Sequence, residues 1–158
     1  EHFYVIGVNS IRRRYHTRGH ISLSQIQEID LKLQQAPAHK IKLIAAHQPF
    51  YTPPDHSHGV KDCPMLGRIA LEQWSQHGLN GLLHGHLHHA AVYDLNQIYQ
   101  LGVSHPVLDI HAGTATSYRL HAGLPNSLNI ILPNADVQHL SFNAATNRFE
   151  LMQQNMSD

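Results

Sequence analysis

The chain has 158 residues, enough for one domain with a real core, since a chain of this size buries roughly 68–70% of its unfolded surface. Lys plus Arg equals Asp plus Glu at 11 each, so no net field draws nucleic acid or an anionic membrane, and an anionic substrate must be held by local charge. No apolar run approaches the roughly 20 residues of a membrane span, no signal peptide is visible and the one cysteine, Cys63, excludes an internal disulfide, a combination that favours the cytoplasm.

The sequence starts Glu1-His2-Phe3-Tyr4, without an initiating Met, and runs directly into strand-like residues, so its left end reads as cut. Phe3 to Val8 is rich in β-branched and aromatic residues and predicts a buried strand, ended by Asn9-Ser10. The basic segment Arg12-Arg13-Arg14 to Arg18 reads as a solvated turn. Ser22-Leu23-Ser24-Gln25 is a capping box, with Ile21 and Ile26 placed for a hydrophobic staple. A helix therefore starts there, with Ile26, Ile29 and Leu33 on one face, and stops near Gln35 ahead of Pro37. Ile41 to Ala46 predicts a second buried strand that delivers His47 at its C-terminal tip.

Tyr51 to Met65 holds Pro53, Pro54, Asp55, His56, His58, Gly59 and Pro64 and resists regular structure, as the rim loop of a site does. Leu66, Ile69, Ala70 and Trp74 predict the apolar face of a second helix, with Gly78 at its C-terminal cap. Asn80 to Leu83 is a short core strand leading into His84-Gly85-His86-Leu87-His88-His89. Beyond it, Ala91–Leu95 and Ile98–Leu101 read as a hairpin about Asn96. Val107–Ile110, Leu128–Leu132, Val137–Phe142 and Arg148–Met152 read as further strands. Strand–helix–strand–helix–strand followed by a run of strands predicts an α/β sandwich, a mixed sheet with helices on one side and more sheet on the other.

Four imidazoles in six residues demand a reason. Each is largely neutral at pH 7 and offers a lone pair, which makes histidine the commonest ligand for zinc, manganese and iron. Gly85 would let the backbone turn sharply so that His86 and His88 face one point. A half-exposed strand would also place His84, His86 and His88 on one face. The broader pattern separates the two: His47 and the cluster each follow a buried strand. A right-handed crossover containing one helix joins those strands, so they should be parallel, with C-terminal ends on one edge. His47, His86 and His88 should then converge.

These residues resemble the calcineurin-like metallophosphoesterase family, closest to its class III cyclic-nucleotide-phosphodiesterase branch. The matching segments are Gly7-Val8-Asn9-Ser10, Gly19-His20-Ile21-Ser22-x-x-Gln25, Ala46-His47-Gln48-Pro49 and Gly85-His86-Leu87-His88. His111-Ala112-Gly113-Thr114-Ala115 with Ser127 to Ile131 resembles the family's closing strands. The resemblance implies an α/β/β/α sandwich and a metal-dependent phosphohydrolase with two divalent transition-metal ions (Mn, Fe or Zn), acting on a small phosphoester or nucleotide. By the same resemblance His47 and His86 bind one ion and His88 the other, as the catalytic metal ligands. His56, His58 and Asp62 on the rim and Arg119 are candidates for substrate contact.

The family's Asp-x-His, Gly-Asp and Gly-Asn-His-Asp/Glu segments would precede the strand where this sequence begins, and none appears here. Asp109-Ile110-His111 spells Asp-x-His, but after the histidine cluster, where a closing strand belongs, and reads as a chance match. Residues 1–158 are therefore expected to be the C-terminal portion of a single domain whose N-terminal half is absent, and to be inactive alone. Two other readings stand beside this one. A metallo-β-lactamase-like hydrolase would use His84-x-His86-x-His88-His89 and make His84, not His47, a ligand. A non-catalytic lobe would bind a metal or partner protein. His84 and His89 otherwise read as supporting or structural residues.

Overall fold

The computed structural model describes residues 2–11, 18–54, 59–120 and 123–152. The apolar runs Phe3–Gly7 (β1) and Ile41–Ala45 (β2) pair in parallel, Phe3 opposite Ile41 and Gly7 opposite Ala45. Leu79–His84 (β3) runs parallel to β2, and Leu108–His111 (β5) runs parallel to β3. Ala91–Asp94 (β4) closes the far edge antiparallel to β5, giving the order β1-β2-β3-β5-β4. Ser127–Ile131 (β6), Val137–Asn143 (β7) and Arg148–Leu151 (β8) make a separate three-stranded antiparallel sheet.

The crossovers follow the sequence signals. Leu23–Gln35 (α1) starts at Ser22, whose side chain accepts from the Gln25 N–H while the Gln25 side chain accepts from the Ser22 N–H, the reciprocal capping box. Gly67–Ser75 (α2) has no such cap. Register places Ile6, Ile44 and Leu82 side by side on one face of the sheet. They share one core with Ile26 and Leu33 of α1 and with Leu71 and Trp74 of α2. Each such side chain contributes about 1.5–3 kcal/mol by leaving water. Trp74 is fully buried and its indole N–H donates to the Ile26 carbonyl at 3.0 Å, which fastens the two helices together. On the opposite face, Val92 and Leu108 line a groove with Leu132, Val137 and Leu151 of the second sheet region. The molecule is thus a mixed α/β fold, helices on one side and antiparallel strands on the other, as the element pattern predicts.

Three local expectations are overturned. The expected hairpin over 91–101 is β4 followed by a short helix, Leu95–Tyr99 (α3), because Asp94 acts as its cap: its carboxylate accepts from the Asn96 N–H at 2.9 Å and from the Val107 N–H at 3.3 Å. Gln100, left-handed at φ 53°, ends the helix. Ile69 points outward at 50% exposure, and α2 is held by Ala70, Leu71 and Trp74 instead. Gly78 is left-handed as expected, but the helix is capped earlier, at Gln76, so the glycine turns the chain into β3. Among the described residues no helix is long and apolar enough to cross a membrane.

Candidate metal centre

The parallel arrangement carries the ends of β2 and β3 to one edge, and the side chains that follow them meet. His47 lies two residues past β2 and is anchored by its backbone, whose N–H donates to Ser10 Oγ at 3.2 Å. The same hydroxyl takes the Gln48 N–H at 3.3 Å, so the Ser10 that ends the first segment fixes the second. His86 lies two residues past β3. Its Nδ1 is 3.2 Å from His47 Nε2, across 39 residues of sequence, with ring centroids 5.1 Å apart. Two imidazole nitrogens held by one zinc-like ion at about 2.0–2.1 Å sit roughly 3.4 Å apart in a tetrahedron, so the pair has the spacing of joint ligands.

Asp62 closes the other side of His86. It ends the 3-10 turn Gly59–Asp62, is nearly fully buried, and places Oδ2 3.7 Å from His86 Nε2. The sequence sets it on the rim as a candidate for substrate contact; in the fold its carboxylate is buried on the Nε2 side of His86. His88 turns to the loop after β5: its Nδ1 is 2.7 Å from the Arg119 carbonyl oxygen. A carbonyl only accepts, so Nδ1 carries the hydrogen and Nε2 keeps its lone pair. The Arg119 carbonyl also accepts from Thr114 Oγ1 at 3.2 Å, and the Arg119 side chain is exposed. His56 and His58, like Arg12 to Arg14, lie outside the described residues.

The turn itself differs from expectation. Gly85 is not left-handed, and a Cβ there would meet nothing within 4 Å. The left-handed residues are His86 at φ 66° and His88 at φ 56°. Non-glycine residues in that region carry strain of about 1–3 kcal/mol, which collects at functional sites. The three alternating imidazoles therefore do not share a strand face. His84 ends β3 and turns to Asp109, His86 turns to His47 and His88 to Arg119.

Directly beneath lies a second cluster. His84 and His111 are register partners on β3 and β5, and Asp109 sits two residues before His111 on the same face. Asp109 Oδ1 is 3.0 Å from His84 Nε2 and Oδ2 is 3.0 Å from His111 Nε2, with all three side chains at 0–1% exposure. Burial pushes the Asp109 carboxyl up, but His84 and His111 outweigh it and hold the group below the usual carboxylate range. Burial likewise drives the His111 imidazole down, against the raising effect of the hydrogen bond it donates to Asp109. Among the described residues this is the only group of three ligand-type side chains whose donor atoms all lie within 4.8 Å of one another. His88 thus does not close a three-ligand group with His47 and His86, an arrangement that a separate second ion does not require.

No protein-family model matches the chain, and no curated protein matches it. Solved structures of similar course do match. Over 94% of its length the chain superposes, at a TM-score of 0.45 and 16% identity, on a Staphylococcus aureus protein provisionally named a 5'-nucleotidase and crystallised with alpha-ketoglutarate. The chain spans 26% of that protein's length.

The Asp109 cluster is what sequence reasoning passed over. Its signal was present: Asp-x-His on a strand puts both groups on one face. Pairing them with His84 required knowing that β5, not β4, lies beside β3, and no local pattern states that order.

Proposed function

We propose that His47, His86 and His88 are the histidine ligands of a dinuclear metal site in a phosphoester hydrolase of the calcineurin-like metallophosphoesterase type. The observation that carries this reading is the approach of His86 Nδ1 to within 3.2 Å of His47 Nε2 from two strand ends. The donor set fits divalent transition ions: imidazole nitrogens, with His88 held through Nδ1 by a backbone carbonyl. His47 and His86 would hold one ion through the facing nitrogens, and His88 the other through Nε2. When bound, two such ions about 3.5–4 Å apart supply an activated water and neutralise the charge of a phosphoryl group.

The chain's own residues set the rest. The buried Asp62 carboxylate stands 3.7 Å from His86 Nε2, and Asp62 remains a candidate for substrate contact. Ser10 holds the His47 backbone, and the Arg119 carbonyl holds Nδ1 of His88. Arg119, whose side chain is exposed and whose carbonyl holds His88, is a candidate for pairing with phosphate oxygens. His56 and His58 remain candidates for substrate contact. The substrate is then a small phosphoester or nucleotide, and the carboxylate ligands would come from an N-terminal half of the same domain.

Zinc titration of the chain, followed through the imidazole resonances, tests this. His47 and His86 should respond together to the same equivalent of zinc, with His88 following. Independent responses, or none, would remove the shared ion. With manganese and bis(p-nitrophenyl) phosphate these 158 residues should turn over substrate at background rates only. Rapid turnover would show that the ligands present suffice.

A further inference from the structure

We propose that His84, Asp109 and His111 form a second, closed metal site that holds a structural zinc-class ion between β3 and β5, separate from the site at the strand ends. His84 turns its two ring nitrogens toward different oxygens. Its Nδ1 contacts the Gly85 carbonyl at 3.4 Å, and because a carbonyl can only accept, Nδ1 carries the hydrogen. With the hydrogen on Nδ1 alone, the Nε2 lone pair faces Asp109 Oδ1 at 3.0 Å. Both atoms are sealed from water, and neither has a hydrogen-bond partner of acceptable geometry. Two acceptors buried face to face are repulsive unless something positive lies between them.

A hydrogen on Nε2 would relieve the repulsion either as the other neutral tautomer, which turns the Nδ1 lone pair toward the Gly85 carbonyl 3.4 Å away, or as a buried imidazolium whose ring centroid is 4.0 Å from that of His111. A divalent cation removes it with both rings neutral, and one carboxylate offsets half its charge. The second histidine is already in reach, since one donor atom from each of the three residues lies within 4.8 Å of the others. Two imidazoles and a carboxylate suit zinc, and a ring hydrogen given to a backbone carbonyl is the usual support for a ligating histidine. Three protein donors leave the fourth tetrahedral position for a water. Full burial means that the ion would enter as the chain folds, as structural zinc does. Its effect would be to tie β5 to β3 directly under the loop that presents His86 and His88.

The test removes the upper site first. The chain carrying His47→Ala, His86→Ala and His88→Ala, folded with zinc and dialysed, should retain one zinc per chain by elemental analysis. Adding Asp109→Asn to that background should cut the retained metal at least tenfold. Cobalt exchanged into the triple variant should give the visible absorption of a tetrahedral nitrogen and oxygen site, so the site is read even if the Asp109 variant fails to fold. A folded triple variant that retains no zinc overturns the proposal, as does zinc that survives Asp109→Asn. Because the strand-end histidines are absent throughout, neither result bears on the proposed hydrolase site.

Discussion

Cys63 shows how far the surroundings of this site govern a single atom. Burial lifts its thiol to about 11, against a hydrogen bond with Thr52 that lowers it and with smaller upward contributions from Asp109 and Asp62. The thiolate is the nucleophile, so at pH 8 Cys63 should react with iodoacetamide about 100-fold more slowly than an unhindered thiol, the factor that two pKa units represent. The rate should keep rising toward pH 11, where an ordinary thiol has levelled off. The sign for stability follows. A folded value above the unfolded 9.0 favours the protonated fold, so this contribution is intact below pH 9 and is lost as pH rises through about 11. A labelling profile with its midpoint near 9 would contradict the burial. The same scale explains what was readable at the site. His47 and His86 were legible because each follows a short apolar run, and parallel strands place such ends together. The burial of Asp62 was not legible, since a loop residue's burial depends on where the loop folds back.

At the scale of elements, local chemistry was readable wherever it was self-contained. The α1 start needs only residues 22–25, and both reciprocal bonds of the capping box form, Gln25 Oε1 accepting from the Ser22 N–H at 2.9 Å and Ser22 Oγ from the Gln25 N–H at 3.2 Å, while Gln25 Nε2 also donates to the Asn9 carbonyl at 2.9 Å. Ser22→Ala should therefore cost about 1 kcal/mol in urea-monitored unfolding, while Gln25→Ala should cost at least as much because it also frees Asn9. Equal stability in both variants would mean that the helix is held by packing alone. Residues 91–101 show the opposite case. Val92, Tyr93, Ile98 and Tyr99 have strand propensities, but the Asp94 carboxylate caps a helix at the Asn96 N–H and also takes the Val107 N–H. That contact joins residues 13 apart in sequence, so composition alone points the wrong way.

For the whole molecule, the question is what joins the three-stranded sheet to the main one. The join lies beside the histidine site and uses few residues. The Ser127 N–H donates to the Thr114 carbonyl at 3.0 Å, and the Asn126 side chain donates to the carbonyls of Thr114 and Ser117, each at 2.9 Å. Asn129 Nδ2 reaches the His111 carbonyl at 2.8 Å while its Oδ1 faces His139 Nδ1 at 2.8 Å. Gly113 makes this approach feasible. A Cβ there would collide with Ser127 Oγ and press on Ser127 Cβ at 3.2 Å and Ala90 Cβ at 3.3 Å. The hydroxyl can rotate away, but the two carbons belong to short side chains and move only with their backbones. Gly113→Ala should thus destabilise the fold by about 1–3 kcal/mol, the range for overpacking a close contact. The loss should be uneven. Amide exchange should quicken in β6, β7 and β8 while β1, β2 and β3 keep their protection, because the core under α1 and α2 does not depend on the join. Gly7→Ala is the control: a Cβ at Gly7 meets nothing within 4 Å, so stability should not fall. Equal loss of protection in both sheets would mean that they unfold as one unit and that the contact at Gly113 is not what couples them.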